Sequence, residues 1–209
     1  MASIKLTDLV RRLWLNVFLE TERLLLRQFT HDDVDNLYNL DGDPEVMRYI
    51  TGGATTPREQ VEHVDLPAFM SYYDRFDGYG FWAAIDKSTD RFLGWFHLRP
   101  QEGDPVDQPE LGYRLRREVW GMGYGTEGAR ALISKGFTDF GAERVVAMAF
   151  RDNLASRRVM EKSGMTLTRA FRLTPDQLEE MLGFASLELF DAEAVEYAIT
   201  KIEWEAQVR

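Results

Sequence analysis

Three glycines alternate along Trp120-Gly121-Met122-Gly123-Tyr124-Gly125-Thr126-Glu127, and no other stretch of the chain restricts its fold as much. Upstream, Glu110-Leu111-Gly112-Tyr113-Arg114-Leu115 reads as a strand. Downstream, Ala129, Leu132, Ile133, Gly136, Phe137 and Phe140 recur at the three- and four-residue spacing of an amphipathic helix. Glycines between a strand and a helix let the backbone turn tightly and leave its N–H groups uncovered. With the positive end of the helix behind them, those groups form an anion site suited to a pyrophosphate. The spacing is not the Gly-x-Gly-x-x-Gly of a dinucleotide fold, and no Gly-Lys-Ser/Thr follows, which excludes a P-loop. Taken alone, the turn fits a purely structural role equally well.

The elements around it define the fold class. Leu24 to Arg27 reads as a strand and Asp32 to Leu40 as a helix. Thr56-Pro57-Arg58-Glu59 opens a second helix, with Thr as N-cap and Pro at the first position. Phe81 to Ile85 and Phe92 to Leu98 flank a polar turn and form a hairpin. Arg144 to Phe150 reads as a buried strand, Asn153 to Ser163 as a helix, and Thr174-Pro175-Asp176-Gln177 starts another. A strand around Val195 to Thr200 closes the order. Antiparallel strands first, then a strand-helix-strand crossover, indicate a mixed α/β sheet. With 209 residues, no internal repeat and no long linker, a single domain over residues 19–209 is expected, preceded by an extension over residues 1–18.

Charge and composition remove several function classes. A net charge of −10 argues against nucleic acid as a general partner. Yet the stretch from Glu110 to Lys162 holds ten Lys/Arg against seven Asp/Glu, so the surroundings of the turn are locally basic. The absence of Cys excludes disulfides, thiolate metal ligands and a Cys nucleophile, and fits a reducing cytoplasm. His31, His63 and His97 stand in no metal-ligand spacing, so no metal is expected, and His97 is expected to be a satisfied structural side chain. The apolar run behind Arg11 and Arg12 is too short for a signal peptide, contains Asn16 and meets Glu20. No other segment approaches a membrane span.

A second signature follows one strand-helix unit after the turn: Arg151-Asp152-Asn153-Leu154-Ala155-Ser156-Arg157-Arg158-Val159-Met160-Glu161-Lys162-Ser163-Gly164-Met165. Together the two segments resemble the GNAT superfamily of N-acetyltransferases. Leu19-Glu20-Thr21-Glu22-Arg23-Leu24-Leu25-Leu26-Arg27, Asp43-Pro44-Glu45-Val46-Met47-Arg48-Tyr49 and Val195-Glu196-Tyr197-Ala198 resemble its ribosomal-protein N-terminal acetyltransferase branch. The resemblance implies a mostly antiparallel sheet flanked by helices, with a splayed strand pair that holds acetyl-CoA. It implies main-chain contacts to the pantetheine arm from Tyr113, Arg114 and Leu115. The pyrophosphate would lie on the amides from Gly121 through Met122, Gly123, Tyr124 and Gly125 to Thr126. Trp120 stands where the family pattern has Gln or Arg, a departure of little consequence for a turn that works through its backbone. Asn153 and Ser156 match the positions beside the cofactor arm, and Arg158, with Arg116, Arg117 and Arg157, is a candidate for its phosphates. Asn153 also suits a plain helix cap.

Acetyl transfer to an amine needs a neutral nucleophile, a stabilised oxyanion and a proton for the leaving thiolate. Glu110 resembles the strand Glu that serves as base in several relatives. It shares a face with Gly112 and Arg114, opposite Leu111, Tyr113 and Leu115. Many relatives use a Tyr acid where this chain has Met160, which has no proton to give, so Ser156 becomes the candidate acid and Tyr113 the alternative. The acceptor side is expected from the loops 42–55 and 99–109 and the acidic segment 171–191; Trp82, Trp95 and Phe96 are expected in the core, with one of them lining the acceptor pocket as the alternative. The expected acceptor is a protein or peptide N-terminus, with a small-molecule amine next, and the resemblance leaves room for a homodimer. Two non-enzymatic alternatives stand beside it: an acyl-CoA sensor module, motivated by Met160, and a phosphate-binding scaffold with structural glycines.

Overall fold

In a computed structural model, residues 17–101, 103, 105–174 and 193–208 are described. Eight strands form one sheet in the order β1-β2-β3-β4-β5-β6-β8-β7: β1 Val17–Glu20, β2 Leu24–Gln28, β3 Gly80–Asp86, β4 Phe92–Arg99, β5 Glu110–Leu115, β6 Arg144–Phe150, β7 Thr166–Arg172 and β8 Glu193–Thr200. Every neighbouring pair is antiparallel except β5 and β6. The helices are α1 Val34–Asp41, α2 Pro44–Thr51, α3 Leu66–Arg75, α4 Tyr124–Asp139, α5 Leu154–Lys162 and α6 Lys201–Gln207.

Alternation along β3 and β4 buries both faces. Trp82, Ala84, Phe96 and Leu98 pack under Ala129, Leu132, Ile133 and Phe137 of α4. Phe81, Ala83, Ile85 and Trp95 face the other way, onto Leu37 and Leu40 of α1 and Leu66 of α3. The chain enters α1 through a tight turn at His31–Asp33, where the buried carboxylate of Asp33 takes both guanidinium nitrogens of Arg27 at 2.7 Å and the Thr30 N–H at 2.9 Å. Burial works against ionisation of Asp33, but Arg27, Thr30 and Asn36 outweigh it and hold its pKa below the usual value.

Several expectations shift. Among the described residues the sheet begins at Val17, so Val17 and Phe18 belong to β1 rather than to an extension, and the Phe18 ring stacks on Trp82 at 3.9 Å. Residues 44–51 form α2 where a loop is expected: Asp43 caps it by accepting the Glu45 N–H, with Pro44 at the first turn. The helical run after Thr56 starts at Arg58 with Pro57 in the cap position, so Thr56 caps nothing. β7 and α6 have no counterpart in the sequence reading, and the helix expected from Thr174-Pro175-Asp176-Gln177 lies outside the described residues. Among the described residues, no helix is long and apolar enough to cross a membrane.

Removing one partner of a buried ion pair leaves the other uncompensated, so Asp33→Ala is expected to cost about 3–5 kcal/mol in denaturant unfolding. The folded pKa of Asp33 is depressed, so its contribution is present above the ordinary carboxylate pKa and lost as pH falls through the folded value. Asp33→Asn is therefore expected to flatten the stability loss of the wild type below about pH 4.

Candidate active site

β5 and β6 share a single register pair, Glu110 opposite Val146, extended by the Val146 N–H donating to the Pro109 carbonyl at 3.1 Å. Past that point the strands separate. A cleft of about 210 Å³ opens between them, lined by Gly112 and Tyr113 from β5, by Ala147, Met148, Ala149 and Phe150 from β6, and by Asn153, Ser156 and Met160 from the α5 side. Facing strand edges without a ladder between them are a place for an extended ligand to pair with main chain.

The far end of β5 leads to the glycine-rich turn. Gly121 and Gly123 lie at φ 73° and 87°, the left-handed region that glycine enters at least cost. Helix α4 starts at Tyr124, and its first ladder bond is the Glu127 N–H to the Gly123 carbonyl at 3.0 Å. The amides of Tyr124, Gly125 and Thr126 therefore precede the ladder, at the positive end of a 16-residue helix. Trp120 ties the turn to β5: its indole N–H donates to the Leu115 carbonyl at 2.8 Å. Met122 is exposed, while Tyr124 turns its hydroxyl to Asp86 Oδ2 at 2.6 Å.

On the α5 side, Asn153 Oδ1 accepts the Ser156 N–H at 3.1 Å, so the capping role is realised. The Tyr113 hydroxyl lies 3.0 Å from both the carbonyl oxygen and Oγ of Ser156. Burial pushes the Tyr113 phenol far above its usual pKa, which keeps it protonated. Met160, wholly buried beside this pair, takes no part in proton exchange. Of the four arginines expected near phosphates, Arg158 is exposed, Arg116 lies over the Phe92 ring, Arg117 pairs with Asp43 at 3.3 Å, and Arg157 donates to Tyr197 and to the Arg151 carbonyl. The Arg114 side chain is spoken for by Asp41 at 2.6 Å.

The opposite face of β5 carries the carboxylate. Glu110 Oε2 lies 3.3 Å from Arg99 and 3.5 Å from His97 Nε2, its side chain 14% exposed. Burial alone would raise the Glu110 pKa, but His97 and Arg99 outweigh it and hold it below the usual range. Burial lowers the His97 pKa, so the ring is neutral near pH 7. Where a satisfied structural side chain is expected, Nε2 of His97 faces Glu110 Oε2 at 3.5 Å, Nδ1 has no hydrogen-bond partner among the described residues, and the ring lines the cleft beside that carboxylate. The sequence puts His97 at the end of a strand near the acceptor side but does not reveal its contact with Glu110, because that place depends on Gly112, its cross-strand partner, where a Cβ would lie 2.5 Å from Nε2. Trp95 is the aromatic that reaches the cleft, and Trp82 and Phe96 are core. Tyr49 and Ile50 of α2 and Leu173 also line the cleft. Most of the acidic segment expected there lies outside the described residues. Among the described residues, no cluster of three or more His, Asp and Glu side chains is placed to hold a metal.

The family model for the acetyltransferase (GNAT) domain matches residues 23–166. The chain belongs to the GNAT acetyltransferases. Among curated relatives of this GNAT chain, an FsC-acetyl coenzyme A-N(2)-transacetylase of Aspergillus fumigatus is 29% identical over 196 residues, spanning 89% of this chain and 77% of the relative. The uncharacterised YkkB of Bacillus subtilis is 34% identical, spanning 74% and 88%. Among solved structures, the RimL ribosomal alpha-N-protein acetyltransferase in complex with coenzyme A superposes with a TM-score of 0.69 at 17% identity, over 88% of this chain and 97% of that one. As a GNAT member the chain is an acyltransferase with the expected mixed sheet.

Gly112→Ala is expected to drive the His97 ring out of its site. An NMR titration would then show a histidine that titrates near its ordinary pKa of about 6.5, where the wild-type ring stays neutral to lower pH.

Proposed function

We propose that this enzyme transfers the acetyl group of acetyl-CoA to a primary amine, with the N-terminal amine of a protein or peptide as its acceptor. The observation that carries this reading is the splay of β5 from β6, which runs from uncovered helix-end amides at one end to Glu110 at the other. Tyr113, Arg114 and Leu115 offer their main chain to the pantetheine arm. The amides from Gly121 to Thr126 hold the pyrophosphate, Asn153 and Ser156 flank the arm, and exposed Arg158 meets a phosphate. The sheet from β1 onward and the helices packed on it act as one catalytic domain, working in the cytoplasm.

In this reading the amine delivers its proton to Glu110, whose charge His97 and Arg99 hold in place. The held carboxylate is a weak base. An α-amino group, with a pKa of about 7.7–8.0, needs little from it, whereas a lysine amine at about 10.4 needs far more. That difference favours an N-terminal acceptor. On the other face of β5, Ser156 returns a proton to the leaving thiolate and draws on the protonated Tyr113 beside it. Positioning the amine against the thioester supplies the rest of the acceleration. A small-molecule amine is the second reading, favoured by the Aspergillus relative, whose match spans most of both chains.

Calorimetry with acetyl-CoA, followed by thiol release against peptides and small amines, tests the assignment. Micromolar binding with release dependent on peptide N-termini is the expected result; binding without release with any amine would favour a sensor. Gly123→Val places a branched side chain at φ 87° within the turn and is expected to abolish acetyl-CoA binding in a folded protein. Unchanged affinity would contradict the cofactor site. Glu110→Gln is expected to lower kcat about 100-fold, the lower end of what a positioned base contributes, with acetyl-CoA affinity retained.

A further inference from the structure

The motif Thr21-Glu22-Arg23 lies between β1 and β2, outside every role above, yet its side chains reach the glycine-rich turn. Glu127, in the first turn of α4, receives three donors from it. Thr21 Oγ1 and the Arg23 N–H reach Oε1 at 2.5 and 2.8 Å, and Arg23 Nε reaches Oε2 at 2.6 Å. The Arg23 guanidinium also donates from Nη1 to the Met122 carbonyl at 3.0 Å and lies 4.2 Å over the Tyr124 ring. That ring is tethered in turn through its hydroxyl to Asp86 at 2.6 Å.

We infer that Arg23 is a positioning residue for the acetyl-CoA turn, aiming the Gly123 N–H and cancelling the Glu127 charge; this rests on the acetyl-CoA reading of the site. The Met122 carbonyl and the Gly123 N–H belong to one trans peptide unit and point in opposite directions. Holding the carbonyl toward Arg23 therefore directs the N–H to the other side of the turn. Glu127 is ionised: burial works against this, but the Thr21 and Arg23 donors prevail and depress its pKa. An uncompensated carboxylate in the first turn would repel the anion that the helix end is to bind. Arg23 supplies the opposite charge from outside the helix, and the absent Cβ of Gly123 leaves its guanidinium room, Nη2 lying 3.4 Å from where that atom would be.

The test compares wild type, Arg23→Ala and Arg23→Lys in acetyl-CoA calorimetry and steady-state kinetics. Arg23→Ala is expected to raise Kd and KM for acetyl-CoA about 10-fold, the size of one lost charge-assisted hydrogen bond, while kcat and KM for the amine stay within about twofold. Arg23→Lys keeps the charge but not the fork, and is expected to recover part of the loss. Adding Glu127→Gln to Arg23→Ala is expected to relieve part of it too, because the repelling charge goes; no relief would overturn the charge-cancelling role. Hydrogen exchange without ligand gives an independent reading, with amides 127–130, the first bonded ones of α4, expected to exchange faster in Arg23→Ala. Unchanged exchange and affinity, or equal losses in kcat and affinity, would overturn the proposal. Failure of the wild type to bind acetyl-CoA while exchange responds as expected would instead sink the cofactor reading and leave Arg23 ordering the turn for another purpose.

Discussion

Buried backbone N–H and C=O groups are costly when unpaired, and a continuous sheet normally meets that demand strand by strand. Here the ladder fails at one place, where β5 and β6 keep a single register pair and then part. The outer edges of both strands stay paired, β5 to β4 along its full length and β6 to β8 over seven residues. The opening is therefore a wedge between two stiff half-sheets. Its shape depends on α4, which packs across β4 and β5 and carries the anion-binding turn at its start.

A strand alternates its side chains between two faces, and β5 thereby sends two different polar groups to opposite sides of the sheet. Tyr113 points to the α4 side, where it meets Ser156. Glu110, Gly112 and Arg114 point to the other side, where they meet Arg99, His97 and Trp95 in cross-strand register. The carboxylate and the Tyr113–Ser156 pair thus leave opposite faces of one strand, and both line the cleft that opens at its edge.

The parts of this arrangement visible in the sequence are those with a local signal. Glu110 to Leu115 and Arg144 to Phe150 are strands with the bounds expected of them, because apolar side chains and flanking turns mark both ends. Asn153 caps its helix as its residue type suggests. β7 was invisible because it is an edge strand, exposed along most of its length, with threonines and arginines in place of an alternating apolar pattern. α2 and α6 carried readable start signals, Asp43-Pro44 and the Thr200–Glu203 capping box, but short segments between glycines or at a chain end read more easily as loop. The significance of His97 had no local signal. It arises from a register that places the imidazole opposite a glycine and beside a carboxylate that lies on the next strand.

β8 lies between β6 and β7 although it follows both in the chain. Until it arrives, β6 has one register pair on one edge and nothing on the other, so the floor of the cleft is a strand without a partner. During synthesis, the glycine-rich turn and Glu110 with its partners Arg99 and His97 emerge from the ribosome before residues 193–200 close that gap. The nascent chain thus holds the residues that line the cleft before the strand that braces its floor is in place.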